Sequence, residues 1–172
     1  IESPRNQSVE FSWQQTGDHN LANALSACAA AHSVGVPLDV TAEALSKFEG
    51  VKRRMEVIAE SKGITLYDDF AHHPTAIRST LEGLRNKYPE EPIYAIIEPR
   101  SKPMKMGVHQ DQLAQGVLAA DQVFWYRPEG MDWDPAQFCR ATDSCYDSVE
   151  ELQSAVIQAA QGPLHLVIMS NG

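Results

Sequence analysis

In the first stretch of the chain Val9, Phe11 and Trp13 alternate with polar neighbours, a period of two that predicts one short strand leading into Gln14-Gln15-Thr16-Gly17. From Asp18 to Val34 the pattern becomes an alanine-rich helical run, with Asp18 placed to cap it and Gly35 and Pro37 placed to stop it. A second, shorter helix is predicted from Thr41 to Phe48, where Ala44, Leu45 and Phe48 share a face; Gly50 ends it.

After Gly50 the period switches back and forth. Arg54 to Ala59 and Ile64 to Phe70 read as strands joined by a turn at Ser61-Lys62-Gly63. Pro74 suits the first position of a helix that runs through Ile77, Leu81 and Leu84 towards Tyr88. Ile93 to Ile97 is an unbroken apolar run of the kind buried on both faces of a parallel sheet. A helix from about Gln110 to Ala120, a strand from Gln122 to Tyr126, one irregular or helical turn over Asp132 to Gln137 and a short strand over Thr142 to Tyr146 follow. Ser148-Val149-Glu150-Glu151 is a capping-box pattern opening a helix to Gln161, and Leu164 to Met169 is the last strand. Strands alternating with helices in this way predict an α/β fold, a Rossmann-like three-layer αβα domain with a mostly parallel sheet and right-handed crossovers.

Composition narrows the partners. Fourteen Lys and Arg against 23 Asp and Glu leave a formal charge of −9, a field that repels phosphate backbones and anionic lipid, so neither nucleic acid nor membrane is an expected partner. Cys28, Cys139 and Cys145 are odd in number and follow no framework or metal-binding spacing, which suits a reducing, cytoplasmic setting and predicts no metal site in this chain. The opening Ile1-Glu2-Ser3-Pro4-Arg5 and the closing Leu166 to Gly172, a strand running into a turn, read as cuts through something longer.

In open parallel sheets ligands gather where strands end and helices begin. The polar clusters of this chain fall at those places. Asp68-Asp69 ends one strand, as a carboxylate able to accept ribose hydroxyls or as a solvated strand tip. His72 and His73 precede Pro74 and suit metal binding, proton relay or helix capping. Arg100, Lys102 and Lys105 make a locally basic loop that fits an anionic substrate or simply keeps the sheet's edge soluble. Arg53-Arg54 offers phosphoryl charge stabilisation or a cap on the preceding helix, and Asn20 and Asn23, three apart on one helix face beside His19, suit either a base edge or a cap.

Together these strings carry more than they do singly. Asp-His-Asn-x-x-Asn opening an Ala-rich helix, Phe48-Glu49-Gly50-Val51-Lys52-Arg53-Arg54-Met55-Glu56, and Asp68-Asp69-Phe70-Ala71-His72-His73-Pro74-Thr75, in this order, resemble the Mur ligase family from Gly17 onwards. That family forms amide bonds on peptidoglycan precursors at the expense of ATP, and the Asp-Asp-aromatic-x-His-His-Pro-Thr string points to its branch acting on UDP-N-acetylmuramate. Glu98-Pro99-Arg100-Ser101 followed by Met104-Lys105-Met106-Gly107-Val108-His109 resembles the members that attach the murein tripeptide L-alanyl-γ-D-glutamyl-meso-diaminopimelate. Members that attach L-alanine, which carry a Pro-His-Arg-Tyr type string there, are the alternative. A non-catalytic Rossmann-type nucleotide-binding module is the other.

The resemblance implies that residues 1–50 are the C-terminal tail of a central ATP-binding domain, and 51–172 a truncated C-terminal lid. The Gly-x-x-x-x-Gly-Lys-Ser/Thr phosphate loop is absent from this sequence, so Mg²⁺ would be held mainly elsewhere, and the isolated chain is expected to be inactive. On the same resemblance His19, Asn20 and Asn23 are adenine-side contacts, Arg54 reaches the ATP phosphates with Arg53 as the fallback, and Asp69 is the ribose carboxylate. His72 and His73 sit near the reacting carboxylate and amine, where an acyl phosphate forms and is attacked. Arg100, Lys102 and His109 are assigned to the tripeptide's carboxylates. Leu21, Leu25, Leu45 and Phe48 are too apolar all to remain in water, so residues 1–50 are expected to rest on the lid or on a second copy, in a non-physiological dimer.

Overall fold

A computed structural model describes residues 8–108 and 110–172. The chain divides after Gly50 into two compact units.

In the first unit α1 (Asp18–Ser33) packs on α2 (Leu38–Ser46), with Ala24 and Cys28 one turn apart on the buried stripe and Leu38, Thr41 and Ala42 buried on α2. Asp18 is the first helical residue and not the cap. Gly17, at φ 85°, occupies the cap and receives the Asn20 and Leu21 N–H groups, while the Asp18 carboxylate lies in the first turn, where the helix dipole favours it. Pro37 opens α2 instead of merely closing α1, so α2 begins three residues earlier than expected; a residue without an N–H loses nothing where helical N–H groups have no partner anyway. The strand expected over Val9 to Trp13 does not form among the described residues. Only Ser8 makes a bridge, and the Phe11 and Trp13 rings meet edge to face at 5.6 Å.

The second unit is a six-stranded sheet of β1 (Glu56–Ser61), β2 (Ile64–Asp69), β3 (Ile93–Ile97), β4 (Gln122–Tyr126), β5 (Ser144–Tyr146) and β6 (Leu164–Met169). The strand order is β1-β2-β6-β3-β4-β5, parallel throughout except for β1. Lys62 and Gly63, both at positive φ (51° and 82°), close the β1–β2 hairpin in the two-residue form whose twist matches the strands. β1 starts at Glu56 and not at Arg54 because Arg53 (φ 57°) and Met55 (φ 52°) lie in the left-handed region, which a strand cannot contain.

Helices cover both faces, which makes the three layers. On one side Ile77, Leu81 and Leu84 of α3 (Pro74–Lys87) and Leu113 of α5 (Gln110–Gly116) pack with Ile93, Ala95, Ile97, Val123, Trp125, Val167 and Met169. On the other, Leu152 and Val156 of α6 (Val149–Ala159) pack with Phe124, Leu164 and Leu166. Burial along β3 alternates instead of being complete, because its Tyr94 and Ile96 face the more thinly covered side. α3 and α5 approach so closely that a Cβ on Gly116 would stand 2.9 Å from the Pro74 carbonyl oxygen. α5 ends at Gly116, short of Ala120, and the chain after it closes a tighter turn in which Ala120 N donates to Val117 O while Arg85 donates to Ala119 O and Arg140 to Ala120 O. A one-turn helix, α4 (Lys102–Lys105), was not foreseen. Ser148 caps α6 as expected, accepting from Glu151 N at 3.3 Å.

Candidate functional site

The C-terminal ends of β2, β6 and β3 form one rim, with the backbone zipped across it: Ser170 N donates to Asp69 O, and Glu98 N to Met169 O. Asp69 ends β2 and is only 3% exposed, which removes the solvated strand tip as a description of it. Its Oδ1 accepts from Ala71 N at 2.7 Å and its Oδ2 from Met55 N at 2.8 Å. Burial pushes its carboxyl above the ordinary carboxylate range, and the two N–H groups and the Arg54 charge work against that rise. Each oxygen keeps one lone pair beyond these two bonds, by which the carboxylate acts as a structural clamp between the backbone at Met55 and the end of β2.

The two arginines are not equivalent. Arg53 is half-buried and engaged on all sides: Nε faces Asp68 Oδ2 at 3.2 Å, Nη2 donates to Ser170 O at 2.7 Å and Gly172 O at 3.2 Å, and the group lies 5.1 Å from the Phe70 ring centre. Arg54 is exposed; its guanidinium lies 5.9 Å from the Phe70 ring centre, and its charge acts on the Asp69 carboxyl. Sequence alone ranked Arg54 first by resemblance. Its freedom and Arg53's engagement are tertiary facts.

His72 and His73 differ as sharply. His72 Nδ1 lies 3.0 Å from Phe70 O, and a carbonyl partner makes that nitrogen the donor, which leaves Nε2 unengaged by this bond. His73 is the N-cap of α3, its Nδ1 accepting from Thr75 N at 3.3 Å, so of the alternatives read from sequence it takes helix capping. On the neighbouring strand end Ser170 Oγ donates to Glu98 Oε2, a pairing that sequence reasoning missed. Arg100 is exposed, 4.0 Å from Glu98 Oε1, and its guanidinium lies against the Gly172 Cα. Lys102 is exposed at the start of α4. His109 lies outside the described residues.

Beyond β4 and β5 the rim turns acidic. A cavity of about 620 Å³ is bordered by Glu129, Asp132, Asp134 and Asp147, with Arg127 held bidentately by Asp147 at 2.6 Å. In the first unit His19 and Asn23 are exposed, whereas the Asn20 side chain donates back to Thr16 O at 2.8 Å and so serves the turn before its own helix. No group of three His, Cys, Asp or Glu side chains among the described residues is placed to hold a metal ion. No helix among them is long and apolar enough to cross a membrane.

Fold and rim define the class. Residues 53–172 match the Mur ligase, glutamate ligase domain, and the chain belongs to the Mur ligase family. Within that family it is 43% identical over 168 residues to the UDP-N-acetylmuramate–L-alanyl-γ-D-glutamyl-meso-2,6-diaminoheptandioate ligase of Haemophilus influenzae, a match covering 95% of this chain and 37% of that protein. A crystal structure of murein peptide ligase from Psychrobacter arcticus superposes with a TM-score of 0.68 at 42% identity, over 94% of this chain and 36% of that one. The UDP-N-acetylmuramate–L-alanine ligase of Desulfitobacterium hafniense is 42% identical, but over only 66% of this chain and 25% of its own length. The chain thus spans little more than a third of the length of the tripeptide-ligase relative it matches.

Proposed function

We propose that this chain is the C-terminal portion of an ATP-dependent ligase that joins UDP-N-acetylmuramate to the tripeptide L-alanyl-γ-D-glutamyl-meso-diaminopimelate. The observation that carries the reading is coverage: likeness to the tripeptide ligase extends over 95% of the chain, likeness to the L-alanine ligase over 66% at nearly the same identity. ATP, when bound, supplies the phosphoryl group that activates a carboxylate. Towards it the second unit offers Arg54, an exposed guanidinium, and Asp69, the buried carboxylate assigned to the ribose; on the first unit, taken by itself, Asn23 and His19 are exposed and are assigned to the adenine by the resemblance. Asn20 remains in that set only if it gives up its bond to Thr16. His72 contributes Nε2 to take a proton from the incoming ammonium, since its Nδ1 is engaged by the Phe70 carbonyl. Arg100 and Lys102 are the exposed cations for the peptide's carboxylates, and His109, which lies outside the described residues, is assigned with them by the resemblance alone; His73 acts by starting α3 at the right place. The setting is cytoplasmic, where such precursors are assembled.

The test is phosphate release by a full-length enzyme carrying this sequence, given ATP, Mg²⁺ and UDP-N-acetylmuramate with either tripeptide or L-alanine. Turnover is expected with the tripeptide and not with L-alanine, and none from the 172-residue chain alone. Equal or better turnover with L-alanine overturns the substrate assignment.

A further inference from the structure

We propose that Arg53 is a positioning residue for Arg54: it makes no contact with nucleotide and holds the short arch from Val51 to Glu56 so that the next residue's guanidinium is presented from a fixed point. The proposal rests on the phosphate reading of Arg54 given above and deepens it.

The arch is an unusual place to put an arginine. Arg53 adopts φ 57° and Met55 φ 52°, left-handed values that side-chain-bearing residues avoid unless their surroundings hold them there. Here the surroundings are visible on both sides of Arg54. Before it, the Arg53 N–H donates to Glu56 Oε2 at 2.9 Å and its carbonyl accepts from Phe70 N at 2.7 Å. Its guanidinium spans from the Asp68 carboxylate to the Ser170 carbonyl, joining the ends of β2 and β6. After it, the Met55 N–H is taken by Asp69 Oδ2 at 2.8 Å. Arg54's own N–H closes a turn onto Val51 O at 3.1 Å. The backbone that carries Arg54 is therefore fastened on either flank, and one of the two fasteners is the carboxylate assigned to the ribose.

Arg53 is poorly placed to be a phosphate ligand itself. Its Nε and Nη2 donors already face a carboxylate and two carbonyls, and Asp68 offsets its charge. Arg54 lies over the Phe70 ring and acts on Asp69 through its charge alone, so it keeps its fork of donors for a ligand. Phe70 lies against both guanidiniums, so displacing Arg53 also disturbs the surface on which Arg54 rests. A fixed donor is worth more to a developing phosphoryl charge than a mobile one, because little rearrangement remains at the moment of reaction.

The test is a double-mutant cycle in the full-length enzyme, read as kcat with ATP and both other substrates saturating. Arg54→Ala is expected to lower kcat about 100-fold, the usual scale for losing one donor to transition-state charge. Arg53→Ala is expected to lower it about tenfold, Arg53→Lys by less, and Arg53→Ala added to Arg54→Ala to cost nothing more, because a residue that works only through Arg54 has nothing left to position. If Arg53→Ala does not accumulate as folded protein, Arg53→Lys and Arg53→Gln complete the cycle. A tenfold loss in both backgrounds, or no loss when Arg54 is intact, overturns the proposal and leaves the reading of Arg54 standing. An Arg54→Ala enzyme of undiminished kcat overturns that reading, and the proposal with it.

Discussion

Asp69→Ala removes the acceptor of two buried N–H groups, those of Met55 and Ala71, at a residue 3% exposed. Leaving a buried donor without its partner costs about 1–3 kcal/mol, and the cost of burying the carboxylate, which the variant no longer bears, offsets part of it, so a net loss of about 2–4 kcal/mol is expected. At about 3 °C per kcal/mol for a chain of this size, that is a fall in melting temperature of about 6–12 °C. Asp69→Asn keeps one acceptor oxygen and should lose about half as much. Acidity gives an independent check. Because burial raises the folded-state pKa, the folded chain holds this proton more tightly than the unfolded one; the resulting stabilisation is complete below the unfolded carboxylate pKa and is lost as pH rises through the folded value. The isostere lacks that dependence, so its penalty relative to wild type should shrink as pH rises from acid towards neutral. Calorimetry of wild type and both variants across that range measures it. An Asp69→Ala chain within about 0.5 kcal/mol of wild type, the scale of an ordinary surface change, would refute the clamp. The consequence for function is practical: weakened ATP binding in Asp69→Ala does not by itself demonstrate a ribose contact, because the same side chain fastens the arch beside Arg54, and Asp69→Asn at matched stability is the fairer comparison.

Gly116→Ala should destabilise the second unit by about 1–3 kcal/mol, since its methyl would meet the Pro74 carbonyl oxygen at 2.9 Å and neither helix backbone can yield freely; unfolding in urea checks this, and a neutral result would mean α3 and α5 are less tightly docked. Cys139, pushed by burial and the Asp143 charge to about 11 from the ordinary 9.0, should carry about 100-fold less thiolate than a free cysteine near neutral pH and be alkylated correspondingly slowly; labelling by mass spectrometry at a free-cysteine rate would contradict that burial.

Local signals were enough for the elements whose character is set by their own residues. Ile93–Ile97, Gln122–Tyr126 and Leu164–Met169 stand where the apolar runs placed them, α3 begins at Pro74, and the Lys62-Gly63 turn closes a hairpin. The family resemblance was legible for a related reason, since its strings lie at strand ends and helix starts, where backbone geometry restricts the residues that fit. The late start of β1 was not legible, because positive φ at Arg53 and Met55 is imposed by partners 14 to 117 residues away: Asp68, Asp69, Phe70 and Ser170. Nor could the sequence separate Arg53 from Arg54, His72 from His73, or a solvated Asp69 from a buried one. Adjacent residues of one type have the same intrinsic chemistry, and what divides them is whether a neighbouring strand end has taken their donors and acceptors. That depends on the register of β2 against β6, which only the folded sheet fixes.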